Sequence, residues 1–308
     1  MEKKGRSPLL VEDIAKAVRA RGGRALVVGG WVRDRLLGPD PSLASKDLDL
    51  EVFGIPAVDL PALLARFGNV EAIGQSFPVY KIGTIDIGLP RRESKAGRGH
   101  KGFAVEGDPS MSLEDAARRR DFTVNAISWD PLTDEYIDPF GGRDDLERRL
   151  LRVVDPQTFG DDSLRVLRAV QFAARFELTL DEQTKALCRS IRLDDLPPER
   201  VWGELEKLLL RARRPSIGFT LMRELGVVDQ MFPELKALIG CDQEPEWHPE
   251  GDVWVHTLMV IDQARTRLDD LDRADALTVM LAAVAHDFGK PKTTAVIDGR
   301  IRSLDHEQ

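Results

Sequence analysis

Cysteine is scarce in this sequence, which contains only Cys188 and Cys241 and has no CxxC motif. Two isolated thiols suit a reducing cytoplasm and argue against a disulfide framework or a thiolate zinc site. Also lacking is any apolar run of the length that crosses a membrane. The first residues, MEKKGRSPLLVEDIAK, are basic and then amphipathic, without a secretory apolar segment or a small-residue cleavage site. We therefore expect a cytoplasmic protein with no membrane partner.

A surplus of positive charge is missing as well. Lysine and arginine number 44 against 52 acidic residues, so the formal net charge is -8. This balance argues against nucleic-acid binding over the whole surface, because such binding depends on neutralising phosphates. One segment differs, since residues 91 to 101 (RRESKAGRGHK) carry five basic residues: Arg91, Arg92, Lys95, Arg98 and Lys101. The segment reads either as a solvated loop or as a local phosphate contact.

What the sequence does contain is typical of a globular protein of several domains. Apolar residues make up 42% and charged residues 31% of its 308 positions. A chain of this length favours two or three domains. Residues 1 to 145 mix strand and helix patterns, residues 146 to 240 are almost wholly helical in pattern, and residues 241 to 308 begin with a proline- and tryptophan-containing linker. We place the domain boundaries at those positions.

Hydrophobic periodicity and glycine or proline punctuation predict the individual elements. The predicted helices cover residues 8 to 21, WVRDRLLG, the segment from DAARRRDFTVNAISWD onward, and most of residues 163 to 210, where Pro197 and Pro198 mark a helix start. The predicted strands are RALVVGG, KDLDLEVFG and one within VYKIGTIDIGLP. The Gly-rich polar stretch through the 90s and early 100s is predicted to be a loop.

Two aspartates on one predicted strand are the first chemical signal. Asp47 and Asp49 are two residues apart, so their side chains project from the same face of the strand. A pair of ionised carboxylates is a typical oxygen-ligand set for Mg²⁺, which also binds substrate phosphates. The Gly29-Gly30 turn could present backbone N–H groups to those phosphates. This layout indicates phosphoryl transfer; two solvated edge-strand charges are the alternative.

Further motifs follow in a fixed order. GGWVRDRLLG (29 to 38) and KDLDLEVFG are followed by RRDFTVNAI (119 to 127), DPFGG (138 to 142), DDSLRVLRAVQF (161 to 172) and RVWGELEK (200 to 207). Together they resemble the class II nucleotidyltransferases of the polymerase-beta superfamily, which include tRNA CCA-adding enzymes and bacterial poly(A) polymerases. The resemblance implies an α+β nucleotidyltransferase head with a small mixed sheet, followed by an all-α neck and body.

The resemblance also implies roles for particular residues. Asp47 and Asp49 would be catalytic and would hold two Mg²⁺ ions, with ATP and CTP as substrates. The nucleotide-binding residues it implies are Gly29, Gly30, Arg33, Arg120, Asp121 and Arg168. Asp86 is a candidate third carboxylate, although a strand-facing charge is the simpler interpretation. The expected partner is tRNA, through its acceptor stem and 3′ end, and no DNA is expected.

Base choice can be argued from chemistry. Asp162 and Arg165 would be neighbours at i and i+3 on a helix. Cytosine and adenine both offer an amine donor beside a ring-nitrogen acceptor, which matches a carboxylate and a guanidinium, whereas uracil and guanine offer the reverse. The pair would therefore select C and A, although an ordinary surface ion pair is the alternative.

The sequence departs from the family pattern at two positions. It has Asp161-Asp162 where Glu-Asp is usual, and Gln171 where arginine is common, so no nucleotide contact is assigned to Gln171. The basic segment from residue 91 to 101 corresponds to a flexible family loop involved in the switch to A addition, which favours a role near triphosphate or RNA.

The last part of the chain carries a separate histidine signal. His248 and His256 are followed by adjacent His286 and Asp287 and then by His306. Imidazole beside carboxylate is a metal-ligand combination, and the set resembles the start of an HD phosphohydrolase domain. We expect a partial HD-type helical domain that is cut in mid-fold, with a second, transition-metal site at His256, His286 and Asp287. A helical body with unrelated histidines is the alternative.

These observations favour addition or repair of the 3′-terminal CCA of tRNA from CTP and ATP. Within the same family, an A-adding enzyme or a poly(A) polymerase remains an alternative, although EAIGQSFPVYKIG (71 to 83) is more similar to the CCA type. From other classes, an HD-type metal phosphohydrolase acting on RNA ends and a purely RNA-binding protein also remain open.

Overall fold

The computed structural model describes residues 6 to 38, 48 to 73, 78 to 95 and 103 to 307. The chain divides into two compact units, Met1–Asp162 and Ser163–Gln308. The division at residue 162 differs from the boundary expected near residue 145, and the three-part arrangement stays a prediction. No helix in the described ranges has an apolar stretch long enough to cross a membrane.

A seven-stranded sheet forms the centre of the first unit. Its order is β3-β4-β5-β2-β1-β8-β9, in which β2 and β5 are parallel and the other neighbours are antiparallel. The strands are β1 (Arg24–Val28), β2 (Leu48–Phe53), β3 (Glu71–Ile73), β4 (Val79–Ile82), β5 (Ile85–Gly88), β8 (Ser128–Asp130) and β9 (Glu135–Ile137). The predicted mixed sheet is therefore confirmed.

Five α-helices in the described part of this unit accompany the sheet. They are α1 (Arg6–Arg19), α2 (Gly30–Leu37), α3 (Leu60–Leu64), α4 (Leu113–Arg118) and α5 (Gly142–Glu147), with short 3-10 helices at Thr123–Asn125 and Phe159–Asp161. The predicted helices at residues 8 to 21 and at WVRDRLLG correspond to α1 and α2. Helix α1 buries Val11, Ile14 and Val18, the apolar stripe that its sequence period predicts.

One face of the central strands carries helix α4. Leu26, Val28 and Phe53 of the sheet pack with Met111 and Ala116 in a single apolar cluster. Residues paired across neighbouring strands point to the same face, and Leu26 is paired with Glu51 and Val28 with Asp49. The face that anchors α4 is thus the face on which Asp49 lies, which brings the residues after α4 to that carboxylate.

One expectation about the first unit was incomplete and two were wrong. VYKIGTIDIGLP forms two strands, because Gly83 takes a positive φ of 61° and turns the chain between them. The segment expected to be a basic loop contains β6 (Arg91–Lys95), which pairs with β7 (Phe103–Gly107). Helix α4 ends at Arg118, and the remainder of DAARRRDFTVNAISWD forms a 3-10 helix and strand β8. Asp47 and residues 96 to 102 lie outside the described residues.

The second unit is mainly helical, as predicted. Its helices are α6 (Leu164–Phe176), α7 (Glu182–Ser190), α8 (Pro198–Arg211), α9 (Pro215–Glu224), α10 (Val227–Met231), α11 (Pro233–Leu238), α12 (Val253–Arg265), α13 (Arg273–Ala285) and α14 (Lys290–Thr293). Pro198 begins α8 as expected. Four short strands remain. One belongs to the first unit, β10 (Leu150–Leu151), and three belong to the second, β11 (Thr179–Leu180), β12 (Thr294–Ile297) and β13 (Arg300–Ser303). The sequence reading missed the β12–β13 hairpin.

Candidate active site

Asp49 lies at the centre of the head sheet, beside a glycine turn. Its strand neighbours in register are Val28, the last residue of β1, and Asp86 of the parallel strand β5. Gly29 follows Val28 with φ of 73°, a conformation that favours glycine. A Cβ atom on Gly29 would lie 3.3 Å from Asp49 Oδ2 and 3.3 Å from Arg120 Nη1. Three of the predicted site residues, Gly29, Asp49 and Arg120, are therefore brought together.

Asp86 is the second described carboxylate at this place. Its register with Asp49 on neighbouring strands gives the two side chains the same face of the sheet. Asp86 is half-buried, and its Oδ1 lies 3.2 Å from Lys81 Nζ. The ammonium group of Lys81 balances the charge of Asp86, as expected for a strand-facing charge. The position of Asp86 beside Asp49 also agrees with a third metal carboxylate.

Glu51 is a site residue that the sequence reading missed. It is 6% exposed, and its carboxylate bonds the Arg119 guanidinium and lies 3.7 Å from Arg120 Nη2. The signal was present, because Glu51 continues the period-two alternation of Asp47 and Asp49.

Arg33 is buried and held by two neighbouring side chains, and its predicted contact with triphosphate stays a prediction. It is 4% exposed, and its guanidinium donates to Asp34 Oδ1 at 2.9 and 2.6 Å and to Asn125 Oδ1 at 2.6 Å. A buried arginine held by a carboxylate and an amide fixes helix α2 against the segment that contains Asn125. The geometry thus favours a supporting role for Arg33 beneath the turn. Asn125, 92 positions away in sequence, could not be found from local pattern.

Asp121 belongs to the same buried network. Its Oδ1 accepts hydrogen bonds from the backbone N–H of Phe122 at 2.8 Å and from Asn125 Nδ2 at 2.9 Å. The residue is 7% exposed. Its predicted role near the ribose stays a prediction, whereas the contacts show that Asp121 orients Asn125, which in turn holds Arg33.

The DPFGG segment is held by local hydrogen bonds at the start of helix α5. Asp138 accepts from the backbone N–H groups of Gly142 and Arg143, both at 2.8 Å, at the start of α5. A Cβ atom on Gly142 would lie 2.1 Å from the Thr123 carbonyl oxygen. Only glycine permits that approach, so this motif packs α5 on the 3-10 helix that contains Asn125.

The expectation that Asp162 lies on the base-reading helix was wrong. Helix α6 begins at Leu164, and Asp162 has an extended backbone with φ of -121° and ψ of 101°. Ser163 is the N-cap residue, but its hydroxyl donates to Asp195 Oδ1 at 2.6 Å and does not cap the helix, which begins two residues after Asp162. Arg165 falls in the first turn of α6. Their joint role in base choice stays a prediction.

The rest of α6 explains the departure at Gln171. Gln171 is 1% exposed, and its Nε2 lies 3.5 Å from Glu204 Oε2 of α8. Glu204 also accepts from Lys207 Nζ at 2.8 Å. The motif RVWGELEK thus supplies a packed polar contact between α6 and α8. Arg168 is half-buried, and its guanidinium lies 5.0 Å from the Phe172 ring centroid.

A second cluster of metal-ligand type lies in the helical unit. Ligand atoms of His256, His286 and Asp287 lie within 4.8 Å of one another, and so do those of His248, Glu250 and His256. His256 Nδ1 is 2.7 Å from Glu250 Oε1, and His286 Nε2 is 3.2 Å from Asp287 Oδ2. The structure therefore brings together the three residues predicted for this site and adds Glu250, which the sequence reading did not include.

Lys290 and His306 complete the surroundings of Asp287. Lys290 Nζ is 2.8 Å from Asp287 Oδ2 and donates to Gln243 Oε1 at 2.7 Å, and His306 Nε2 is 3.5 Å from Asp287 Oδ1. Asp287 is 1% exposed. A buried carboxylate needs such positive partners, and a cation binding here would compete with the lysine ammonium.

Three groups of this cluster, Glu250, His286 and Asp287, have pKa values shifted toward the charged form. Burial acts to raise the pKa of Asp287, but hydrogen bonds from His286 and Lys290 outweigh it and hold that pKa well below its ordinary value. The hydrogen bond to Asp287 raises the pKa of His286. A backbone hydrogen bond and the neighbouring histidines lower the pKa of Glu250 to about 2. Asp287 and Glu250 are therefore ionised at neutral pH.

The head unit defines a class of protein. A mixed sheet that sets a carboxylate beside a glycine turn and an arginine, in a chain that continues as a helical unit, is the architecture of a nucleotidyltransferase. Two family models match the chain: the poly(A) polymerase head domain over residues 25 to 152, and the probable RNA- and SrmB-binding site of polymerase A over residues 177 to 239.

Curated proteins of similar sequence narrow the class to a family. A multifunctional CCA protein of Stenotrophomonas maltophilia (strain K279a) is 42% identical over 294 residues, which cover 92% of this chain and 67% of that protein. The multifunctional CCA protein of Thioalkalivibrio sulfidiphilus (strain HL-EbGR7) is 41% identical over 89% of this chain and 65% of its own length. The chain thus spans about two thirds of these relatives, and it belongs to the family of multifunctional CCA proteins.

Solved structures give the same result for the fold. A tRNA-processing enzyme in an apo form is similar with a TM-score of 0.58 and 26% identity, covering 95% of this chain and 79% of that chain. A tRNA nucleotidyltransferase complexed with a primer tRNA and an incoming ATP analog is similar with a TM-score of 0.56 and 26% identity, covering 87% of this chain and 80% of that chain.

Proposed function

We propose that this chain is a template-independent RNA nucleotidyltransferase that adds or repairs the 3′-terminal CCA of tRNA. CTP and ATP are the substrates, and pyrophosphate is released. The observation that carries the proposal is the meeting of Asp49, Gly29 and Arg120 at the centre of the head sheet. The family relatives that bear the name multifunctional CCA protein support it.

The reaction requires a divalent cation, for which Mg²⁺ is the natural choice. The donor set fits, because Asp49 and Asp86 supply carboxylate oxygens side by side on parallel strands, as hard cations prefer. Asp47, two positions before Asp49 in the sequence, is the further carboxylate expected from the motif. Two bound Mg²⁺ ions would neutralise charge that develops as the RNA 3′-hydroxyl attacks the α-phosphate and pyrophosphate leaves.

The chain's own groups would bind the triphosphate beside these carboxylates. Gly29 has no side chain, so backbone at the start of α2 is open to phosphate, and Gly30 begins that helix. Arg120 lies against the turn and supplies a charge-assisted donor. Arg33 holds α2 from beneath through Asp34 and Asn125. Binding energy would therefore come from a preorganised turn and one adjacent guanidinium.

Base choice rests with Asp162 and Arg165. A carboxylate accepts from the exocyclic amine of C or A, and a guanidinium donates to the neighbouring ring nitrogen. U and G would leave both protein charges unpaired, which makes their binding free energy less favourable than that of C and A and so provides the discrimination. Arg168 would assist from the next turn of α6.

The RNA partner is tRNA, held through its acceptor stem and 3′ end, and the working location is the cytoplasm. The basic strand β6 is one surface suited to phosphate, although Arg92 already lies 2.7 Å from Asp108. An A-adding enzyme or a poly(A) polymerase of the same family would use the same head chemistry and differ in the order and number of nucleotides added.

A second function is supported by the histidine cluster. His256, His286 and Asp287 have ligand atoms within 4.8 Å of one another, and hydrogen bonds hold the pKa of Asp287 well below its ordinary value, so its carboxylate is ionised. Such a set suits a transition metal and a phosphohydrolase of the HD type acting on RNA ends. Glu250 would fix the His256 ring through Nδ1 and direct Nε2 toward the metal.

The test of the main proposal is release of pyrophosphate from CTP in the presence of Mg²⁺ and a tRNA that lacks its CCA end. Asp49→Asn removes a metal carboxylate and is expected to lower the rate at least about a hundredfold. Asp59→Asn, which changes an exposed aspartate of the same unit, is the matched control and should keep the wild-type rate. Equal rates for the two variants would disprove the role of Asp49.

A further inference from the structure

A buried carboxylate next to the proposed metal site, that of Glu51, has no role in the chemistry described so far. Glu51 follows Asp49 by two residues on β2, so the two side chains share one face of the sheet. Glu51 is 6% exposed. An ionised carboxylate at this depth needs positive partners, because its desolvation without them costs on the order of several kcal/mol.

Two consecutive arginines provide those partners. The Arg119 guanidinium bonds Glu51 Oε1, and Arg120 Nη2 lies 3.7 Å from Glu51 Oε2. Both arginine side chains are 20% exposed, so each guanidinium is largely withdrawn from solvent. The Glu51 carboxylate therefore holds two cations with its two oxygens.

The same Arg120 also faces the glycine turn. Its other terminal nitrogen, Nη1, lies 3.3 Å from the place where a Gly29 Cβ would be, as does Asp49 Oδ2. Arg120 thus spans the distance between Glu51 and the Gly29–Asp49 site. A guanidinium tethered at one edge presents its other donors in a fixed direction, which is what recognition of a phosphate oxygen requires.

Helix α4 delivers the arginines to this position. Its apolar residues pack on Leu26, Val28 and Phe53, and the backbone N–H of Arg120 donates to the Ala117 carbonyl oxygen at 3.0 Å. The apolar cluster fixes the helix on the sheet but does not fix long side chains beyond its end. Glu51 is in register with Leu26 of that cluster, and its carboxylate contacts the two arginine side chains that follow the helix.

We propose that Glu51 is a positioning residue that holds Arg119 and Arg120 beside the Gly29 turn, so that Arg120 binds the phosphates of the incoming nucleoside triphosphate. The inference rests on the proposed nucleotidyl transfer and deepens it. Glu51 itself touches no substrate, and its effect on nucleotide passes through Arg120.

The experiment measures the Kd of ATP and of CTP by titration calorimetry with Mg²⁺ and without tRNA. Glu51→Gln keeps the shape of the side chain and removes its charge, and we expect the Kd for both nucleotides to rise about tenfold. Glu114→Gln is the matched control, since it removes a carboxylate from the exposed Glu114–Arg118 pair on α4. Its Kd values should stay within about twofold of the wild type.

A double-mutant cycle separates positioning from a general structural effect. If Glu51 acts through Arg120, Arg120→Gln and the combined Glu51→Gln/Arg120→Gln variant should have the same Kd, whereas additive losses would overturn the inference. In steady-state addition to tRNA, KM for the nucleotide should rise more than kcat falls. Thermal unfolding checks that each variant is folded. If Glu51→Gln does not fold, Glu51→Asp carries the test, and an unchanged Kd in that variant would overturn it.

Failure of the proposed function would appear differently. A wild-type protein that binds ATP but adds no nucleotide to tRNA would contradict CCA addition, while the Kd comparison would still decide the role of Glu51.

Discussion

Gly29 is the residue at which the head site depends most directly on the absence of a side chain. Its φ of 73° lies in the left-handed region, and the space where a Cβ would stand is bounded by Asp49 and Arg120. Two oppositely charged side chains approach the turn from two different parts of the chain. The glycine therefore sets how closely a phosphate can come to both of them.

Replacing this glycine should separate backbone strain from crowding of the site. In Gly29→Ala we expect the Kd for ATP to rise about tenfold, because the new methyl group pushes on Asp49 and Arg120. Gly22→Ala is the control, since Gly22 has a similar φ of 81° and nothing within 4 Å of its Cβ position. Both variants should lose about 1 kcal/mol of folding free energy. Equal ATP affinity in the two would contradict the account of the turn.

At the scale of single residues, the sequence predicted what local pattern can carry. Asp49 and Gly29 were identified from alternation and from a glycine pair, and both lie in the site. Glu51 was overlooked although it follows the same alternation, because the sequence does not show which arginines will contact a third acid on the strand. Arg33 was assigned to the triphosphate from its motif, and its contact with Asn125 could not be predicted because Asn125 belongs to a distant segment.

At the scale of secondary-structure elements, the errors share one physical cause. Strand β6 has a basic, glycine-flanked sequence that is typical of a loop, and it becomes a strand only by pairing with β7. Asp162 was placed on a helix because the periodic pattern of α6 was extended two residues too far toward the N-terminus. Pairing partners and helix caps decide such boundaries, and intrinsic propensity is too weak to do so.

Helix α5 offers an element-scale prediction. Gly142→Ala would place a Cβ 2.1 Å from the Thr123 carbonyl oxygen, so the helix must move away from the 3-10 helix that contains Asn125. We expect a loss of about 3 kcal/mol in the free energy of unfolding, measured in urea. Gly88→Ala adds the same methyl group on β5, where nothing lies within 4 Å, and should cost little. An unaltered stability for Gly142→Ala would show that the DPFGG segment is not packed as described.

At the scale of the whole molecule, the two candidate sites belong to different compact units. Gly29, Asp49 and Arg120 lie in Met1–Asp162, and the histidine cluster lies in Ser163–Gln308. The order of motifs along the sequence predicted that these two groups of residues lie in different parts of the chain, and the roles assigned to them stay predictions. It did not predict Glu250 or Lys290 as neighbours of the cluster, where Glu250 contacts His256 from the linker and Lys290 contacts Asp287 from three residues further along the chain.

The histidine cluster should bind a transition metal independently of the head. With Ni²⁺ about a hundredfold above its Kd, the second unit should gain about 2.7 kcal/mol of stability, seen as a rise in Tm. Asp287→Asn should abolish this gain, and Asp298→Asn, in an exposed turn, should keep it. Neither change should alter the Kd for ATP. A gain that survives in Asp287→Asn would place the metal elsewhere.

The most direct test of CCA addition is single-turnover extension of three tRNA transcripts, which end before the first C, after one C and after two. Each transcript is given CTP, ATP, UTP or GTP separately, with Mg²⁺. The account predicts C on the first two transcripts, A on the third and then a stop, with no addition of U or G. Addition of A to any RNA end without a stop would contradict CCA addition and indicate a poly(A) polymerase, and equal use of all four nucleotides would contradict base choice by Asp162 and Arg165.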